Sequence, residues 1–321
     1  MRKIIIDTDT ASDDAVAVMM ALLSPDVEVL ALTTVSGNIP LEAATQNCLM
    51  TAEVCKSGVP VYKGADRPLM RPVIHAHNVH GQDGMSDHGL IHPTRKAEKE
   101  HAVDALLRLI REHPGEIELA VIGPATNIAL AAMKEPETIK LLKSIWTMGT
   151  GGFGRGNVTA VAEFNVFADA EAYDVMLHCG VPIYVVGFDV CKGEAAWNEQ
   201  DMRRLQALSA GGDFAVTCND RLMQYGLRRG GFVTVYVCDA VALGCMLWSD
   251  MIVEKQDCLA YVCTHEPLTY GQVIFYSPDD QANQREFGAP FGDDMARATV
   301  VRAVDAALYK KRQAELLAAC K

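Results

Sequence analysis

The chain has 321 residues, half of them hydrophobic, and a formal net charge of -12. That length and apolar content support a large buried core, and the acidic balance argues against binding a nucleic-acid backbone or an anionic membrane surface. No apolar run is long enough to span a bilayer, and the stretch after Met1-Arg2-Lys3 stops at Asp7, too soon for a signal peptide. The ten cysteines form no C-x-x-C pair, and most lie in apolar runs (Cys48, Cys55, Cys179, Cys245, Cys263). This pattern predicts reduced, buried thiols and a cytoplasmic setting.

In chain order, a β-branched run predicts a buried strand over Lys3–Asp9, followed by a helix over Ala15–Leu23 with Ser12 as its N-cap and Asp13 and Asp14 in its first turn. A second strand spans Glu28–Val35 and ends at Ser36-Gly37-Asn38. A helix over Leu41–Lys56 and a short strand over Val59–Tyr62 come next. The segment Pro68–Lys99 has little periodicity and five histidines (His75, His77, His80, His88, His92), and reads as a long loop, a candidate lid. Then come a helix over His101–His113, a strand over Ile117–Ile122, a helix over Asn127–Lys134 and a strand over Ser144–Met148. A helix over Ala168–Cys179 and a strand over Pro182–Val190 follow. Beyond Asp201 the pattern loosens to helices over Asp220–Tyr225 and Ala240–Trp248, strands over Cys258–Thr264 and Val273–Tyr276, and a terminal helix over Asp293–Leu317.

Strands separated by helices of this length predict an α/β fold: an open, mostly parallel central sheet flanked by helices, within a single domain over residues 1–321. Ligands on such sheets bind at the carboxyl ends of the strands. Asp9, Asn38, Thr126 and Asn157 fall at those ends.

Eight residues at the first strand–helix junction carry four carboxylates, Asp7, Asp9, Asp13 and Asp14. Their mutual repulsion calls for a positive partner, and oxygen ligands point to a hard divalent cation. Stabilising a helix dipole accounts for Asp13 and Asp14 alone. Gly149-Thr150-Gly151-Gly152-Phe153-Gly154 matches a dinucleotide fingerprint with Asp169 twenty residues on, but Arg155-Gly156-Asn157-Val158-Thr159 reads as loop where that fingerprint needs a helix. The loop histidines lack the spacing of a zinc site.

Taken together, these segments resemble the inosine–uridine nucleoside hydrolase family. The resemblance is carried by Asp7-Thr8-Asp9-Thr10-Ala11-Ser12-Asp13-Asp14-Ala15, Thr33-Thr34-Val35-Ser36-Gly37-Asn38, Val79-His80-Gly81 and Gly123-Pro124-Ala125-Thr126-Asn127-Ile128-Ala129. Arg155-Gly156-Asn157, Ala162-Glu163-Phe164-Asn165 and Asp239 before an apolar helix complete it. It implies a Ca²⁺-dependent hydrolase of the N-glycosidic bond of ribonucleosides, releasing ribose and a free base. Asp9, Asp14, Asp239 and the Thr126 carbonyl would hold Ca²⁺, and Asp9 would be the general base toward a water on the metal. Asp13 would bind the ribose 2′-hydroxyl. Asn38, Asn157, Glu163 and Asn165 would hold the other hydroxyls, with His80 and Phe164 near base or sugar. The family also suggests a homodimer or homotetramer and a role in purine or pyrimidine salvage.

Two positions depart from the family. Thr10-Ala11 replaces the usual Pro-Gly, and Cys238 stands where many members carry the histidine that protonates the leaving base. A thiol is poorly matched to that work, so His80 or solvent are the alternatives to Cys238 as the acid. A non-enzymatic Ca²⁺-dependent nucleoside or ribose binder is the alternative function. An aspartate-nucleophile phosphatase would also open on Asp7-Thr8-Asp9, but Ala11 and the poor later acidic pair Asp293-Asp294 do not suit it. Tyr225, Arg228 and Arg229 are possible base contacts.

Overall fold

The computed structural model describes residues 1–288 and 295–321. Asp293 and Asp294 lie outside the described residues. The chain runs β1 (Arg2–Thr8), α1 (Ser12–Leu23), β2 (Val27–Thr34), α2 (Leu41–Val54), β3 (Val61–Lys63), α3 (His77–His80), α4 (Ala102–Glu112), β4 (Ile117–Val121), α5 (Thr126–Lys134), α6 (Pro136–Ile139) and β5 (Ser144–Met148). It continues through α7 (Phe164–Ala168), α8 (Ala170–Leu177), β6 (Ile183–Val186), α9 (Glu199–Gln206), α10 (Ala210–Thr217), α11 (Asp220–Gly230) and α12 (Cys238–Leu247). The last elements are β7 (Ile252–Val262), β8 (Val273–Tyr276), α13 (Pro278–Glu286), β9 (Ala296–Val304) and α14 (Ala306–Ala318).

The nine strands form one sheet in the order β3-β2-β1-β4-β5-β6-β9-β7-β8. All pairings from β3 to β9 are parallel, and β7 pairs antiparallel with both β9 and β8. The expected mostly parallel α/β sheet is therefore present. Along β1 the isoleucines alternate sides: Ile4 and Ile6 enter the core beneath α1, α2, α12 and α14, while Ile5 enters the core beneath α4, α5 and α8. Alternation of this kind is what a strand buried on both faces requires.

Two expectations are corrected. The terminal segment is not one helix: Ala296–Val304 is strand β9, and only Ala306–Ala318 is helical, with Asp305 accepting the amide of Leu308 at the junction. The β-branched Thr299-Val300-Val301 run packs between β6 and β7, where branched side chains fit a pleated surface. The expected helix over Ala168–Cys179 is present as α8, capped by Asp169, whose side chain accepts the amide of Ala172, and the short α7 precedes it. Finally, Ser12 is not the N-cap of α1. The helix begins at Ser12, and the amide of Ala11 donates to the Asp14 carboxylate at 3.0 Å instead.

Beside β1, a side chain from α5 ties the strand to its neighbours. Asn127 is completely buried; its amide donates to Asp7 (2.8 Å) and to the Thr34 carbonyl (3.0 Å), and its Oδ1 accepts from the Ala65 amide (2.8 Å). Gly64 must be glycine here, since a Cβ would stand 2.1 Å from the Asn127 oxygen. Replacing Asn127 with Ala strands three buried polar partners, each costing about 1–3 kcal/mol. We expect Asn127→Ala to lose at least ~3 kcal/mol of unfolding free energy in urea denaturation.

Candidate functional site

The site lies at the carboxyl end of β1, where β2 leads away to one side and β4 to the other, the switch point at which open sheets hold ligands. The turn after β1 carries Asp9, and α1 starts within three residues, so Asp13 and Asp14 occupy its first turn. Asp239 occupies the first turn of α12, which packs against α1. Two helix N-termini thus deliver three carboxylates to one place. Oxygens of Asp13, Asp14 and Asp239 approach within 4.8 Å of one another, the one such group of possible metal ligands among the described residues.

Each carboxylate is held by specific donors. Asp14 accepts from the Thr8 hydroxyl at 2.6 Å and from the Ala11 amide. Asp9 accepts the Asn38 amide at 2.5 Å through Oδ2, while its buried Oδ1 has no partner. Backbone crowds around Asp9: a Cβ on Gly37 would sit 2.1 Å from Oδ2, and one on Gly123 would sit 2.8 Å from Oδ1. Burial pushes Asp9 and Asp239 well above the usual carboxylate range, reinforced by the neighbouring acids, and pushes Asp13 up to about 7. No lysine or arginine forms an ion pair with these four groups among the described residues. Asp7 is different: Thr33 and Asn127 hold it inside the sheet, so it is structural.

Above the acids opens a cavity of about 670 Å³. Of the residues singled out in the sequence, Asp13, Asn38, His80, Asn157, Glu163, Phe164, Asn165, Cys238 and Asp239 line it. Asp9, Asp14 and Thr126 are buried outside this lining. Thr126 opens α5, and its hydroxyl donates to Asp169 at 2.7 Å. Glu163 caps α7, accepting the amides of Asn165, Val166 and Thr150, and burial pushes it up to about 7. The Asn165 amide donates to the carbonyls of Ile122 and Met148, tying the ends of β4 and β5 together. Asn157 accepts the Phe164 amide at 2.9 Å.

The glycine-rich segment after β5 opens no helix; the next one starts at Phe164. Gly152 has φ +65° and the loop hangs on Asp189, which accepts the Phe153 amide, so the dinucleotide reading fails on geometry. The Pro68–Lys99 segment is loop apart from the single turn of α3. Its histidines disperse: His75 meets the Gly37 carbonyl, His77 the Gly81 carbonyl and His88 the Asp220 carboxylate, while His80 alone lines the cavity. Tyr225 and Arg229 of α11 line it too, with Arg229 donating to the Tyr225 hydroxyl at 2.6 Å, whereas Arg228 stays outside.

Sequence reading missed Phe188 and Tyr236, whose rings meet edge-on at 5.6 Å on the cavity wall, and the nearby Lys192. Phe188 lies two residues past β6, so the strand-end rule could have found it. Cys238 is protonated: its hydrogen bond with the Cys191 thiol, and then burial, push it far up, and its hydrogen faces the Tyr236 carbonyl.

Comparisons with known proteins agree with this geometry. Residues 4–311 match the family described as inosine-uridine preferring nucleoside hydrolase. The chain is 34% identical over 279 residues to the pyrimidine-specific ribonucleoside hydrolase RihB of Escherichia coli, covering 85% of this chain and 87% of that protein. It is 42% identical over 191 residues to an uncharacterized protein of Schizosaccharomyces pombe, which covers 59% of this chain and 61% of the yeast protein. The solved structure of a plant nucleoside hydrolase, PpNRh1, superposes with a TM-score of 0.90 at 29% identity and 99% coverage of both chains. With the match running almost end to end and the acids gathered at the expected strand end, the chain belongs to the inosine-uridine preferring nucleoside hydrolase family, enzymes that cleave the N-glycosidic bond of ribonucleosides.

Proposed function

We propose that this chain hydrolyses ribonucleosides to ribose and free base with Ca²⁺ as its cofactor, and that pyrimidine ribonucleosides are preferred. The base preference follows the name of the Escherichia coli relative. The observation that carries the reading is the approach of Asp13, Asp14 and Asp239 within 4.8 Å of one another, with Asp9 beside Asp14, all buried and without a counter-charge beneath an open cavity. Oxygen-only donors and the unpartnered Asp9 Oδ1 fit a hard cation. Asp9, Asp14, Asp239 and the Thr126 carbonyl would hold it. Bound there, a hard cation would supply Lewis-acid chemistry toward hydroxyl and water oxygens.

The protein groups do the rest. Asp9 Oδ1, buried and unpartnered, would accept the proton of the attacking water. Cleavage builds positive charge on the ribose ring, and the surrounding carboxylates stabilise it. Asp13, Asn38, Asn157, Glu163 and Asn165 orient the sugar hydroxyls, and His80 and Phe164 border the base. Cys238, with its thiol held protonated, contributes little to leaving-group departure. Ten free cysteines suit a reducing, cytoplasmic location.

The test is release of reducing sugar from uridine, cytidine, inosine and adenosine, with and without chelator. Activity on the pyrimidine nucleosides that chelator abolishes and Ca²⁺ restores is expected. Binding of nucleosides without any turnover would favour the alternative of a Ca²⁺-dependent binder. Asp9→Ala should lower kcat by about 10²–10⁴-fold, the range of a general base. Cys238→Ala should cost less than about tenfold. An active Asp9→Ala enzyme overturns the assigned base.

Stability should report the cation as well. Folding raises Asp7, Asp13 and Glu163 to about 7 from carboxylate values near ~4 in the unfolded chain. The folded state then binds the extra protons, so the chelated protein loses stability as pH rises from about 4 toward 7. Cation binding replaces protons at the acid cluster. Thermal unfolding should therefore show a Ca²⁺-induced rise in Tm that is larger at pH 7 than at pH 5; a shift independent of pH counts against the assignment.

A further inference from the structure

We propose that Ser12 is a positioning residue that fixes the tautomer of His80, so that the Nε2–H of a neutral imidazole faces the departing base. This rests on the hydrolase reading above. Ser12 is fully buried at the first position of α1, and its Oγ lies 2.7 Å from His80 Nδ1 across 68 residues of sequence. Neither the Ser12 hydroxyl nor the His80 ring forms another hydrogen bond among the described residues.

The direction of that bond follows from satisfying every buried donor. If Nδ1 carried the hydrogen, the Ser12 O–H would be left buried with no acceptor, which folded proteins avoid. With the hydroxyl donating to Nδ1, both groups are satisfied and the ring hydrogen sits on Nε2. His80 lines the cavity, so that hydrogen is the one offered to a ligand. Burial supports a neutral ring, holding His80 down at about 4.

Ser12 is itself anchored from below. Its carbonyl accepts the Asn219 side-chain amide at 3.0 Å, and the Cys218 thiol lies 3.6 Å away. The far side of His80 is tied to the same place. The Ser86 amide donates to the His80 carbonyl at 3.0 Å, and the Ser86 hydroxyl donates to the Cys218 carbonyl at 2.8 Å. His80 is therefore held at its ring by the start of α1 and at its carbonyl, through Ser86, by the turn before α11. With Cys238 turned to the Tyr236 carbonyl, His80 is the group at this wall whose donor faces the cavity. A donated hydrogen bond stabilises negative charge growing on a pyrimidine oxygen or nitrogen as the glycosidic bond breaks.

The test compares two leaving groups. Ser12→Ala, Ser12→Thr, His80→Ala and the double variant Ser12→Ala/His80→Ala are assayed on uridine and on p-nitrophenyl riboside, whose leaving group departs as a stable anion without a donor. Ser12→Ala should lower kcat on uridine about fivefold to tenfold, the worth of one neutral hydrogen bond, and leave p-nitrophenyl riboside within about twofold. Ser12→Thr, which keeps the hydroxyl, should recover most of the uridine rate. In the His80→Ala background the Ser12 change should have no further effect on uridine, because the two act as one unit. Equal losses on both substrates, or effects that simply multiply in the double variant, would overturn the assignment. If the unsubstituted enzyme cleaves no riboside at all, the functional reading falls and this inference with it.

Discussion

Negative charge gathered out of water is the constraint around which this molecule is arranged. Asp9 and Asp14 are fully buried, and Asp13 and Asp239 nearly so. Removing an unpaired carboxylate from water costs several kcal/mol even after relaxation. The compensation the fold supplies is smaller. The N-termini of α1 and α12 contribute about 0.3–2 kcal/mol each, and the hydrogen bonds from Thr8, Ala11 and Asn38 about 1.5–3 kcal/mol each at best. Burial and the mutual repulsion of these acids push them upward, toward their protonated forms. A site held in that state is poised to exchange protons for a cation.

Rigid elements make that poise possible. α1 and α12 pack on each other over the same face of the sheet, so their first turns cannot separate without exposing Met19, Met20, Val241 and Leu243, all 0–1% exposed. Glycines at positions 37 and 123 let backbone close around Asp9 where a side chain would collide with it. Asn165 and Glu163 serve two roles at once: each faces the cavity, and each spends part of its hydrogen-bonding capacity on backbone at the ends of β4, β5 and α7. The sugar-facing wall is thereby an extension of the sheet rather than a free loop.

What could be read from the sequence followed from local physics. The β-branched run before Asp9, the alternation of strands and helices, and the placement of polar residues at strand ends needed no tertiary information. Asp239 was legible only through the family resemblance, because an aspartate opening an apolar helix is ordinarily just a cap. Ser12 was misread for the same reason, since its partner His80 lies far away in sequence and no local rule connects them. The helices α9 and α10 escaped because Gly211 and Gly212 and a charged stretch weaken their periodicity, although Asn198 and Asp201 form a capping box that marks the first of them. Strand β9 reads as helix in the sequence because alanines and arginines interrupt its branched residues. Its true state is decided by β6 and β7 on either side.

Strand β9, the last in chain order of the described sheet, occupies an interior place in it. The hairpin of β7 and β8 leaves the ribosome earlier, yet among the described residues it pairs with the other six strands only through β9. An isolated two-stranded ribbon is marginal in water. Completion of the sheet must therefore wait for Ala296–Val304, and the slow step of folding should be its non-local insertion between partners made long before. Until then an open β6 edge and an orphan hairpin expose pairing groups to other chains, so aggregation during synthesis is the hazard this topology carries.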